Sequence, residues 1–171
     1  MNLRPQRDAI LQRMTDNADQ LRRRLLNACG RLGIPVKFAR EMRDGDTVYF
    51  GLAGVKGIAI LDEDSPDWRS ARTGNVVLSQ TRTLVHELAH ECLHFGVKGD
   101  QRVDLGFSKA QEEDEARAVA DAVMDRYCLG YETQGMTPRV RAAVKRICDE
   151  VEIEQQRDAV EVLEKFSEVL S

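Results

Sequence analysis

The chain has 171 residues, a net charge of −4, 42% hydrophobic and 32% charged residues. That balance excludes collagenous, low-complexity and disordered classes and leaves room for one folded domain over 1–171 with a genuine core. Met1 to Arg7 lack a signal-peptide apolar stretch, and no apolar run approaches the roughly 18–20 residues of a membrane span, so a cytoplasmic protein with no membrane contact is expected. Cys29, Cys92, Cys128 and Cys148 show no CxxC spacing and are expected as buried, reduced thiols.

In chain order, apolar residues at helical spacing from Ile10 to Leu26 predict a helix over 6–31. Residues 1–43 hold ten Lys/Arg against four Asp/Glu, with Arg22-Arg23-Arg24 the densest basic point. Such a segment can meet nucleic acid. Interrupting aspartates and the lack of stacking aromatics favour a solvated helix face instead. Gly33 marks a turn, and strands are expected over 36–40, 47–52 and 57–61, with a hairpin turn at Asp44-Gly45-Asp46. Residues 62–73 read as a loop. Residues 75–78 read as a short strand leading into Ser79, the expected cap of a helix over 79–95. A linker over 95–107 precedes a helix over 109–128, and two further helices, 137–151 and 155–169, close the chain. A sheet region over 36–78 followed by helices makes the expected class α+β.

The helix over 79–95 carries His86-Glu87-Leu88-Ala89-His90, an HExxH pattern. Residues four apart on a helix stand one above the other, so two imidazoles can reach one zinc at about 2.0–2.1 Å. Glu87, beside the first histidine, is placed to take a proton from a metal-bound water. Leu84, Val85, Leu88, Ala89, Cys92 and Phe95 form an apolar stripe that turns the histidines to the other face. His94 extends the pattern, but His86 and His94 stand about 12 Å apart along one helix and cannot share a metal. A supporting or substrate-contacting role is left for it.

Catalytic zinc usually has three protein ligands. The remaining candidates are the acids of Gln111-Glu112-Glu113-Asp114-Glu115. Ala116, Val119, Ala120, Val123 and Tyr127 mark the buried stripe of that helix. Glu112 falls on it, Glu113 and Glu115 flank it, and Asp114 points away. Periodicity does not choose between Glu112 and Glu115.

The segment from Thr81 to His94, the Gly33-Ile34-Pro35-Val36 strand start, and Glu115-Ala116 opening an alanine-rich helix together resemble the ImmA/IrrE-type metallopeptidase family, a gluzincin-like group. The run from Ala116 to Val123, ending at Leu129-Gly130, looks more like the peptidase domain of ArdC-type antirestriction proteins. The resemblance covers roughly residues 30–130. It implies a zincin-like fold, with a small mixed sheet of about four strands packed on the active-site helix. It implies one Zn2+ per chain held by His86, His90 and Glu115, with Glu112 the alternative third ligand. The implied activity is peptide-bond hydrolysis with Glu87 as general base, directed at a specific protein such as a helix-turn-helix repressor. His94, Tyr127 and Tyr131 are candidates to stabilise the oxyanion. The contrasting expectation is an antirestriction or DNA-binding module that merely retains the zinc site.

Overall fold

The computed structural model describes residues 4–70, 75–98 and 101–169. It is an α+β arrangement of four helices and small sheets. Helix α1 (Arg4–Leu32) is followed by strands β1 (Val36–Ala39), β2 (Arg43–Asp44), β3 (Thr47–Val48), β4 (Gly51–Gly54) and β5 (Gly57–Leu61). Helix α2 (Val76–Leu93), the hairpin β6 (Phe95–Lys98) and β7 (Gln101–Asp104), helix α3 (Lys109–Met124) and helix α4 (Pro138–Val169) complete it.

The main sheet has the order β1-β5-β4, with β1 parallel and β4 antiparallel to β5. Alternation along β5 sends Ile58 and Ile60 into the core, where they meet Leu84, Val85, Leu88 and Ala89 of α2. The other side of α2 receives α3 through Ala116, Val119, Ala120 and Val123. Small residues on both sides let the two backbones approach closely, and this packing sets where the acids of α3 fall relative to the histidines. Leu21 and Leu25 of α1, and Val140, Val144, Ile147 and Val151 of α4, close the same core.

Several expectations are corrected here. Residues 75–78 are not a strand. Asn75 caps α2, its Oδ1 accepting from Leu78 N–H at 3.0 Å, and Ser79 N–H already donates to the Asn75 carbonyl at 3.0 Å. The β-branched pair Val76-Val77 suggested extended chain, but a cap and packing of Val76 against the Met42–Leu61–Trp68 cluster outweigh that weak preference. The strand expected over 47–52 breaks at Tyr49 and Phe50, which pack toward the same cluster, Phe50 lying 4.9 Å from the Trp68 ring. Here the chain leaves its β2 partner and joins β5. The expected linker over 95–107 contains a hairpin, with Arg102 of β7 paired to Glu91 of α2. The C-terminal pair of helices is one helix, α4, because no glycine or proline interrupts 151–155 and Glu154 is held by Arg31 of α1 at 3.0 Å. Val162 and Leu163, which stand at helical spacing from Ala159, are exposed.

The basic triplet is internally paired. Arg22 bonds Asp19 at 2.7 Å and Glu63 at 2.9 Å, while Arg23 and Arg24 both reach Asp158 of α4, at 3.0 and 3.1 Å. These contacts, with Arg31 on Glu150 and Glu154, fasten α1 antiparallel to α4. Among the described residues no helix is long and apolar enough to cross a membrane. All four cysteines are free thiols, three of them buried and Cys92 partly so.

Candidate metal centre

His86, Glu87 and His90 lie on α2, whose side toward α1 and β5 is fixed by its buried leucines and valines. The next turn of α2 stacks the two imidazoles, with centroids 4.9 Å apart. His86 Nε2 and His90 Nε2 face one another at 3.2 Å. Glu113 reaches across from α3, with Oε2 3.3 Å from His86 Nε2 and Oε1 3.7 Å from His90 Nε2. These three side chains form a group that could hold a metal ion, with ligand atoms all within 4.8 Å of one another.

Simple geometry tests the fit. Ligands at about 2.0–2.1 Å around a tetrahedral ion are separated by about 3.3–3.4 Å. The nitrogen pair, at 3.2 Å, falls close to that edge length, and the Glu113 carboxylate faces both, one oxygen 3.3 Å from His86 Nε2 and the other 3.7 Å from His90 Nε2. Two imidazole lone pairs and a carboxylate turned on one point are also an unfavourable cluster unless a cation or proton joins them.

Glu113 is a residue the sequence reading did not select. The signal was present: Glu113, Ala116, Ala120 and Val123 continue one helical face at spacings of three and four. Glu115 is turned elsewhere. Its carboxylate bonds His94 Nε2 at 3.0 Å and Arg139 of α4 at 3.1 and 3.2 Å. Glu112 is not among the converging side chains. His94 ends α2 at 1% exposure, behind His90, where it cannot meet a substrate. Tyr127 follows α3 in a wide turn over Asp125–Leu129 that directs its hydroxyl to the Cys148 carbonyl, at 3.4 Å. Tyr131 is exposed and engaged with Asp125. None of the three candidate oxyanion donors is brought to the Nε2 side of His86 and His90, and His94 meets His90 only at Nδ1, 3.0 Å away.

The electrostatics follow from burial. Burial pushes the Glu87 carboxyl up to about 8, the nearby Glu113 charge adds to this, and a hydrogen bond from the Ala53 backbone opposes it. Burial likewise lowers His90 to about 4, helped by neighbouring His86 and opposed by Glu113. His86 is lowered mainly by burial, with Glu113 opposing. Neutral imidazoles are the form a metal needs. For Glu115, burial raises the carboxyl, but bonds from Arg139, His94 and Gln111 together bring it below its ordinary value.

Gly51 is the second residue the sequence reading passed over. A Cβ there would stand 2.6 Å from Glu87 Oε1, 2.8 Å from Glu87 Cγ and 2.5 Å from Thr83 Cγ2. Only a glycine lets β4 lie directly against the Glu87 side chain. Gly51→Ala is therefore expected to displace Glu87 while leaving the histidines in place. If Glu87 acts as a base on a metal-activated water, the expected result is a loss of about 10²-fold in kcat/KM for hydrolysis at unchanged metal content. Unchanged kcat/KM would show that the position of Glu87 does not limit the chemistry.

No protein-family model matches the chain, and no curated protein or solved structure matches it either.

Proposed function

We propose that this protein is a zinc-dependent peptidase of zincin-like architecture, with His86, His90 and Glu113 as metal ligands and Glu87 as general base. The observation that carries the reading is the convergence of two imidazole nitrogens and a carboxylate beside a buried glutamate on the helix of the two histidines. A zinc ion held by His86, His90 and Glu113 would supply Lewis acidity toward a carbonyl and acidify a water toward a pKa of about 7. Glu87 accepts the proton of the attacking water and returns it to the leaving amine. A carboxyl whose pKa lies near the working pH suits both transfers.

An extended peptide also needs a strand edge. β5 is paired on both sides and has no free edge. β4 lies at the edge of its sheet and passes over Glu87 at Gly51, which makes it the strand for an extended substrate to join. A specific protein, such as the helix-turn-helix repressor suggested by the family resemblance, is the substrate class we favour. The internally paired Arg22-Arg23-Arg24 triplet lends no support to a DNA-binding role.

The test is metal content by mass spectrometry on protein purified without a metal-affinity tag, followed by cleavage-site profiling on peptide libraries. About one zinc per chain and metal-dependent cleavage are expected. No metal after zinc is offered would sink the proposal.

A further inference from the structure

The hydrogen bonds do not stop at His90. His90 Nδ1 lies 3.0 Å from His94 Nδ1, and His94 Nε2 lies 3.0 Å from Glu115 Oε2. Arg139 holds both oxygens of Glu115, Nε to Oε1 at 3.1 Å and Nη2 to Oε2 at 3.2 Å. The same guanidinium donates to the Leu93 carbonyl at 3.3 Å and lies over the Phe107 ring at 4.4 Å. Phe107 in turn packs edge-on against His94, 5.7 Å between centroids.

With both imidazoles neutral, the donor directions in this chain have one solution. Arg139 can only donate, and the ionised carboxylate it grips can only accept. His94 Nε2 therefore carries the proton that points to Glu115. A neutral imidazole has a single N–H, so His94 Nδ1 is left as an acceptor. His90 Nδ1 must then be the donor to it. That leaves the lone pair of His90 on Nε2, the nitrogen facing His86 and Glu113. Reversing any one of these bonds leaves two donors or two acceptors in opposition. The order of the chain dictates which nitrogen of His90 is free to bind.

We propose that His94, Glu115 and Arg139 form a positioning relay that fixes the ring and tautomer of His90 for metal binding and ties the metal centre to helix α4. The inference rests on the reading of His86, His90 and Glu113 as the ligand set. Metal-binding histidines generally donate their second nitrogen to an acceptor that orients them, and losing that partner costs about 10–100-fold in affinity. Here the acceptor is another histidine, oriented by a carboxylate one step further out. At 1% exposure His94 is closed to substrate, and both its nitrogens are satisfied within the relay. Arg139 starts from α4, so a movement of that helix would alter how firmly His90 is presented.

Dissociation constants for Zn2+ and Co2+, measured by chelator competition on the full chain, test this. His94→Phe keeps a ring against Phe107 and removes both nitrogens. Glu115→Ala removes the outer acceptor. Each is expected to weaken binding by about 10–100-fold, and the double variant to be little worse than the weaker single one, because both break the same chain. Glu115→Gln keeps an oxygen for His94 Nε2–H and should recover most of the affinity. Arg139→Leu, at an exposed position that spares the fold, should weaken binding several-fold. The tetrahedral visible spectrum of bound Co2+ should survive in all of them. Wild-type affinity in both His94→Phe and Arg139→Leu would overturn the relay. So would equal, complete loss in Glu115→Ala and Glu115→Gln with His94→Phe intact, which would make Glu115 a direct ligand. A wild-type chain that binds neither ion would remove the metal reading itself, and that is seen before any variant is made.

Discussion

Glu87→Gln is expected to bind zinc as tightly as the wild-type chain and to hydrolyse peptides at least about 10³-fold more slowly, since general-base catalysis and proton return to the amine are both removed. The variant keeps the size of the side chain that Gly51 accommodates, so a loss of rate at constant metal content isolates the proton-transfer role. Retained activity on a cleaved substrate would exclude Glu87 as the base. The same variant carries a second expectation, in the metal-free protein. The Glu87 carboxyl is raised from 4.5 to about 8 in the folded chain, so the folded state holds its proton where the unfolded state has released it. Its contribution is fully present below pH 4.5 and is lost as pH rises toward 8. The lowered histidines act in the opposite sense, removing stability as pH falls through 6.5, in the case of His90 toward about 4. The unfolded histidines finish titrating above pH 6.5 in both proteins alike, so the difference between wild type and Glu87→Gln isolates Glu87. Between pH 6.5 and 8, urea unfolding of the chelator-treated wild type should therefore lose about 2 kcal/mol relative to Glu87→Gln. Parallel curves for the two proteins would mean that Glu87 is not held in its neutral form by its surroundings.

The part of the site that lay within one helix was legible in the sequence. His86, Glu87 and His90 are related by a repeat of 3.6 residues alone, and the same repeat turns Leu84, Val85 and Leu88 inward. The part that depended on two helices was not. Which acid of α3 meets the histidines is set by how Ala116 and Ala120 seat on α2, and a rotation of α3 by one residue, about 100°, exchanges one candidate for another. Glu113 therefore stood only as a residue flanking the buried stripe, although it sits one turn before Ala116. His94 escaped a definite role for the same reason. Its partners, Glu115 and Arg139, come from α3 and α4.

The fold shows a similar division. α1 and β5 were readable because their own periodicity decides them. Residues 75–78 were misread because β-branched side chains carry only a weak strand preference, which a cap at Asn75 and burial of Val76 override. The continuity of α4 through Val151 to Glu154 is supported from outside by Arg31 of α1, a partner more than a hundred residues away. Gly51 gave no local sign of its purpose, since a glycine in a strand reads as a weak point. Only the nearness of Glu87 explains it.

Glu113→Ala should lose roughly 10²–10³-fold in zinc affinity, with Glu112→Ala unchanged as the control. The size follows from the 10–16 kcal/mol typical of protein-bound zinc shared among four ligands, about 3–4 kcal/mol each. The control is informative because Glu112 precedes Glu113 on the same turn and differs chiefly in direction, so a nonspecific effect on the first turn of α3 would appear in both. The substitution has an independent signature. Glu113 is one of the causes that raise Glu87, so its removal should lower the pH at which the metal-free chain loses stability. A flatter urea-stability curve between pH 6.5 and 8 in Glu113→Ala would place its charge beside Glu87 even without metal. Zinc affinity kept in Glu113→Ala and lost in Glu115→Ala would return the third ligand to Glu115, as the family resemblance implied. It would also require α3 to bring Glu115 out of its bonds to His94 and Arg139 when metal binds. Both results come from the same titration, and the control distinguishes either from a helix that has merely frayed.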